Sequence, residues 1–153
     1  MRTTIQQLPI IDFFETILSV TNLSPIQRIT LKVLRCEPLD TVAPIIRSHP
    51  YQEIDFANEV EMFRYFSGKD EYLASHYSDA SLCFGRRSGK STTIGAGLAL
   101  YYATQFDFGP YLGTSPHATI PIISATKEQA GEVFAAIKNF CLKSPWIFSK
   151  FLD

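Results

Sequence analysis

Eight consecutive residues, Gly85, Arg86, Arg87, Ser88, Gly89, Lys90, Ser91 and Thr92, have the types and spacing to hold a chain of phosphates. Glycine lets a backbone fold tightly and turn its N–H groups toward phosphate oxygens. A lysine directly after the second glycine reaches β- and γ-phosphates, and the hydroxyl that follows ligates Mg²⁺. Gly85 and Gly89 are therefore the candidate turn residues, Lys90 the candidate phosphate cation and Ser91 the candidate Mg²⁺ ligand. Ser88 and Thr92 complete the candidate cofactor-binding set. The strict pattern Gly-x-x-x-x-Gly-Lys-Ser/Thr is missed by one place, since it wants glycine where Phe84 stands and finds it at Gly85. Arg86 and Arg87 have two readings. They are solvated bases in a turn, or one folds over the γ-phosphate and stabilises the charge that develops in the transition state.

Such a loop must follow a strand and open a helix. Ser81–Phe84 is a short apolar strand candidate, and Lys90–Gln105 reads as a helix apolar on nearly every side, hence buried between a sheet and something else. The positive end of that helix would face the bound anion. A Gly- and Pro-rich loop over 107–117 leads to a second strand candidate, Thr119–Ser124, where Pro121 argues for an edge position or a strand start. Thr126 and Gln129 then form a capping-box pattern before a helix whose apolar stripe is Ala130, Val133, Phe134, Ile137 and Cys141. Strand, helix, strand, helix implies an α/β fold: a P-loop NTPase-type parallel sheet with flanking helices and a right-handed crossover. With two core strands the sheet is incomplete, and an apolar edge is left uncovered. Residues 80–153 are expected to be the first part of this core. Residues 1–79 are expected to form a helical and irregular region, with helical patches at Ile11–Val20, Pro25–Arg35 and Asn58–Phe66. Between the last two, the proline-punctuated 37–56 reads as irregular or extended chain.

The chain has 153 residues, enough for one domain with a real core. With 46% apolar and 19% charged residues it is not a disordered tail. A net charge of −1 gives no global field to attract nucleic acid, so any such contact is local. Cys36, Cys83 and Cys141 lie far apart without metal-ligand spacing and read as buried thiols in a reducing compartment. The three histidines are equally scattered. No run is long and apolar enough to span a membrane. Leu8–Val20, broken by Asp12 and Glu15, is a poor signal peptide and a fair amphipathic helix. The default location is the cytoplasm.

The loop GRRSGKS after an apolar strand resembles the Walker A segment of phage and prophage terminase large subunits, whose loop is often one residue off the strict spacing. Ile122–Phe140 is similar to that family's next strand and Gln-Ala-containing helix, and Leu23–Leu34 to its Pro-x-Gln segment. The resemblance spans about residues 23–148. It implies an ATPase that drives double-stranded DNA into a viral capsid as a homo-oligomeric ring, with ATP and Mg²⁺ as ligands and the portal and small terminase subunit as partners. It assigns Arg86 and Lys90 catalytic roles, and it makes Gln27 the reader of the adenine edge. The residues themselves offer Gln27 another role, because Ser24-Pro25-Ile26-Gln27 is a capping box with proline at the first helical position.

A hydrolytic motor of this kind also needs an apolar strand ending in Asp-Glu to hold Mg²⁺ and polarise water. Asp70-Glu71 and Asp79 follow no apolar run, and Glu59 and Glu61 fall in a helical patch. The expectation is therefore an N-terminal part of such a motor, from a truncated or split gene, binding ATP weakly without turnover and lacking the nuclease domain. Two other readings stay open: part of a helicase-like P-loop ATPase, or a non-catalytic interaction module with a relic loop.

Overall fold

The computed structural model describes residues 7–49, 52–75, 79–85, 88–115 and 117–150. In chain order its elements are α1 (Ile10–Asp12, continued by a wide π turn Phe13–Ile17), α2 (Pro25–Leu34), β1 (Ile45–His49), β2 (Gln52–Phe56) and α3 (Glu59–Ser67). After these come α4 (a π turn Lys90–Gly95 continued as Ala96–Gln105), a 3₁₀ turn Gly109–Tyr111, α5 (Lys127–Lys143) and α6 (Pro145–Lys150). Contacts divide the chain into two units. One gathers the described residues of Met1–Val20 with those of Phe84–Asp153; the other is Thr21–Cys83.

In the Thr21–Cys83 unit, α2 starts where its sequence says it should. The Ser24 side chain accepts from the Gln27 N–H, the Gln27 side chain accepts from the Ser24 N–H, and Pro25 sits at the first helical position, where no N–H is needed. The helix stops at Cys36, which adopts a left-handed φ of 55°. The Cys36 N–H donates to the Val33 carbonyl at 3.0 Å and the Glu37 N–H to the Lys32 carbonyl at 2.9 Å, closing the helix end. The stretch read as irregular or extended contains an antiparallel hairpin, β1 on β2, with Ile45 opposite Phe56. Helix α3 is capped by Asn58, whose side chain accepts from the Glu61 N–H, and ends at left-handed Gly68. Ile29, Leu39, Phe56, Met62 and Phe63 form the core between these elements. Lys32 and Glu59 close its edge with an ion pair at 2.6 Å.

In the other unit α4 is central. Ile94, Gly97, Tyr101 and Gln105 recur at three- and four-residue spacing, so they share one helix face. That face lies on the N-terminal segment, where Ile10, Phe13 and Phe14 are fully buried. Tyr101 meets Phe13 edge-to-face with ring centroids 5.1 Å apart. Its hydroxyl donates to the Leu8 carbonyl at 2.6 Å, and the Leu8 N–H donates to Gln105 Oε1 at 3.2 Å. Helix α5 packs on another face of α4. The expected burial of this helix is met, with an N-terminal strap and a helix as its cover rather than a sheet.

The two stretches expected as parallel strands, 81–84 and 119–124, belong to no helix or strand, and among the described residues the only sheet is the hairpin. A strand exists only through its partner, so apolar patterning can propose one without supplying the chain that pairs with it. Helix α5 begins as its sequence reads, with the Thr126 hydroxyl accepting from the Gln129 N–H at 3.3 Å. Its apolar stripe, however, contains no fully buried residue. Among the described residues no helix is long and apolar enough to cross a membrane.

Candidate functional site

The start of α4 is built around Gly89. Its φ of 75° lies in the left-handed region, which glycine enters without the Cβ clash that penalises other residues. The chain turns there, and the helix begins at Lys90. The Gly89 carbonyl accepts from the Thr93 N–H at 2.8 Å and from the Ile94 N–H at 3.0 Å, so the first turn is wider than an α turn. A helix start leaves its first N–H groups without intrahelical acceptors. Here those groups belong to Lys90, Ser91 and Thr92. The positive end of the helix dipole adds to them, so one turn gathers oriented N–H donors, a lysine ammonium and a serine hydroxyl.

Exposure follows the same division. Lys90 and Thr92 are exposed and Ser88, Gly89 and Ser91 are half-buried, whereas Ile94 is buried one turn along. The helix is thus anchored from its second turn onward and presents its first turn outward. A Cβ on Gly85 would meet nothing within 4 Å, and its φ is not left-handed. The chain itself does not require glycine at that place. A ligand approaching the backbone closely would.

Lys90, Ser91 and Thr92 therefore share one helical turn with Ser88 and Gly89 before it. Arg86 and Arg87 lie outside the described residues. Gln27 lies in the other unit, where its Oε1 accepts from the Ser24 N–H at 2.8 Å and its own N–H donates to Ser24 Oγ at 3.4 Å. Its amide oxygen is engaged in closing the start of α2. Among the described residues no group of three or more His, Cys, Asp or Glu side chains is placed to hold a metal ion. Ser91 is the one hydroxyl of this turn placed directly after Lys90, and it is the group there that could serve as an oxygen ligand to a metal ion.

The residues that hold this site in place were not legible as such. Leu8, Phe13 and Phe14 support α4 from far away in sequence, and the signal that could have found them is the stripe Ile94, Gly97, Tyr101, Gln105. A glycine and a glutamine on the buried stripe of an otherwise apolar helix mark a close approach and a specific hydrogen bond. No family model, no curated protein and no solved structure matches the chain.

Proposed function

We propose that residues 85–92 bind the phosphates of ATP, and that the chain is the N-terminal ATPase part of a terminase large subunit, the motor that packages double-stranded viral DNA. One observation carries the nucleotide reading: a left-handed glycine, Gly89, immediately precedes a helix whose first residues are Lys90, Ser91 and Thr92. The N–H groups of that turn hold phosphate oxygens, Lys90 neutralises the β- and γ-phosphates, and Ser91 helps to hold Mg²⁺. Mg²⁺, when bound, offsets negative charge on the phosphate oxygens. Arg86 or Arg87 folds over the γ-phosphate in the same proposal. Gln27 serves its own helix, and its reading of adenine rests on the family resemblance alone.

The proposed fold is the P-loop type, with segments 81–84 and 119–124 as the seats of parallel strands flanked by α4 and α5. The assembly that goes with this proposal is a homo-oligomeric ring acting in the host cytoplasm with portal and small subunit. No Asp-Glu pair after an apolar run occurs within residues 1–153, so these residues are expected to bind ATP without turning it over. Amide resonances provide the test. Addition of ATP·Mg²⁺ should shift the signals of Gly89, Lys90, Ser91 and Thr92 and leave those of α3 in place. Shifts spread evenly over both units, or none, would contradict the assignment of the site.

A further inference from the structure

The first two turns of α4 are poorly equipped to be a helix by themselves. Gly89, just before the first turn, has no side chain to cap it, and no acidic residue stands in that turn to offset the positive end of the dipole. Lys90 adds a like charge there instead. Ser91, Thr92, Thr93 and Ile94 are weak helix formers, and Gly95 and Gly97 are weaker still. A stretch of this composition is ordered by what it packs against and by what binds it, not by propensity.

The packing comes from the N-terminal strap. A Cβ at Gly97 would stand 2.2 Å from one carbon of the Phe14 ring and 2.5 Å from another, so the ring is seated where only glycine leaves room. One turn further along, Tyr101 meets Phe13 edge-to-face. Tyr101 and Gln105 are 1% and 3% exposed, and together they hold one strap residue by its main chain. The Tyr101 hydroxyl donates to the Leu8 carbonyl, and Gln105 Oε1 accepts from the Leu8 N–H. Helix α5 also reaches the first turn, but it meets α4 across an open apolar groove of about 470 Å³ and contains no fully buried residue. The closely fitted support of this helix is the strap.

Gly97 lies eight residues beyond Gly89, about 12 Å along the helix axis. At the far end of that stretch, a bound phosphate chain supplies what the sequence omits: an anion for the first N–H groups, for the dipole and for Lys90. Strap and phosphate thus act on one element, residues 90–97, and each favours its ordered form over its frayed one. Two contacts that favour the same state of an element strengthen each other by the same factor. We propose that the N-terminal strap controls the affinity of the phosphate turn: docked on α4 through Leu8, Phe13 and Phe14 it raises nucleotide affinity, and bound nucleotide tightens its docking in return. Phe14, Tyr101 and Gln105 are then positioning residues, acting on the ligand through the backbone of α4. The inference rests on the assignment of residues 85–92 as a phosphate site.

The test reads both directions of this coupling in the full chain. Isothermal titration of ATP·Mg²⁺ compares the wild type with Phe14→Ala, which unseats the ring, and with Tyr101→Phe, which removes only the bond to Leu8. Amide exchange at Leu8, whose N–H is held by Gln105, reports docking of the strap with and without ATP·Mg²⁺. Affinity should fall fivefold or more in Phe14→Ala and by less in Tyr101→Phe, and ATP·Mg²⁺ should slow exchange at Leu8 fivefold or more in the wild type but not in Lys90→Ala. If Phe14→Ala does not fold, Tyr101→Phe and the wild-type exchange decide. Slowing of equal size at Phe63 in α3 would mark a general stabilisation and overturn the proposal. Wild-type binding with unchanged exchange at Leu8, or with unchanged affinity in the folded variants, would overturn it and leave the phosphate site standing. No binding to the wild type at millimolar ATP·Mg²⁺ would overturn both.

Discussion

Gly97 lies against the Phe14 ring so closely that a Cβ at position 97 would stand 2.2 Å from a ring carbon. This contact joins the N-terminal strap to the helix that begins after Gly89. On helix propensity alone, Gly97→Ala would stabilise by about 1 kcal/mol. Because the ring must move to admit the methyl, the substitution is expected instead to cost about 1–3 kcal/mol. Urea unfolding of the two proteins measures the sign directly. A more stable Gly97→Ala would show that the strap does not pack on α4 as described.

The same strap is tied by the Tyr101 hydroxyl, which donates to the Leu8 carbonyl at 2.6 Å. Tyr101→Phe keeps the ring against Phe13 and removes only that donor. It should lower the unfolding free energy by about 1 kcal/mol and speed proteolytic cleavage within residues 7–18. Unchanged stability and unchanged cleavage would remove the hydrogen bond from the account.

How far the sequence reveals this arrangement depends on the range of the interactions involved. Ser24 with Gln27, Asn58, Gly68 and Thr126 act within a turn of their own helices, and each helix end can be read from a few neighbouring residues. Gly89 is of the same kind, since a glycine before Lys-Ser-Thr already implies a turn into a helix. The strap is different. Phe14 meets Gly97 across more than eighty residues, and nothing local to either one names the other. Pro44, just before β1, and Pro50 make residues 37–56 read as irregular or extended chain, and the pairing of β1 with β2 depends on a cross-strand partner that neither strand's own residues specify. Leu82 and Ile122 have strand-like surroundings, but pairing depends on a partner that their own neighbours do not specify. Gln27 shows the converse case, where a residue noticed through a family resemblance has a role that its local pattern already supplies.

Asp40 makes the pH response of the other unit specific. Its Oδ1 accepts from the N–H groups of Val42 at 2.7 Å and Ala43 at 3.0 Å. The Ala43 bond first, then the Val42 bond, with Lys32 nearby, hold its carboxyl below the ordinary value of 3.8 against a small opposing effect of burial. A folded-state pKa lowered in this way stabilises the fold above the ordinary value, and the contribution is lost as pH falls through the folded value. Stability measured over the acid range should therefore fall less steeply in Asp40→Asn than in the wild type. Identical slopes would show that this turn does not contribute.

Cys141 lines the apolar groove, and burial pushes its thiol above the ordinary 9.0, opposed by a backbone N–H. The thiolate is the nucleophile, so at neutral pH Cys141 should react slowly with iodoacetamide, and more slowly than the exposed Cys83. Peptide mapping by mass spectrometry resolves the two sites. Equal rates at Cys83 and Cys141 would contradict the half-buried placement of the α5 stripe.

The central claim is that Gly89 and the first turn of α4 hold a nucleotide phosphate through Lys90. Isothermal titration of ATP·Mg²⁺ into the wild type and Lys90→Ala tests it most directly. Lys90 is exposed, so the variant should keep its fold by circular dichroism. The predicted result is measurable binding to the wild type and a loss of tenfold or more in Lys90→Ala. Equal affinities in the two proteins, or no binding to either, would contradict it.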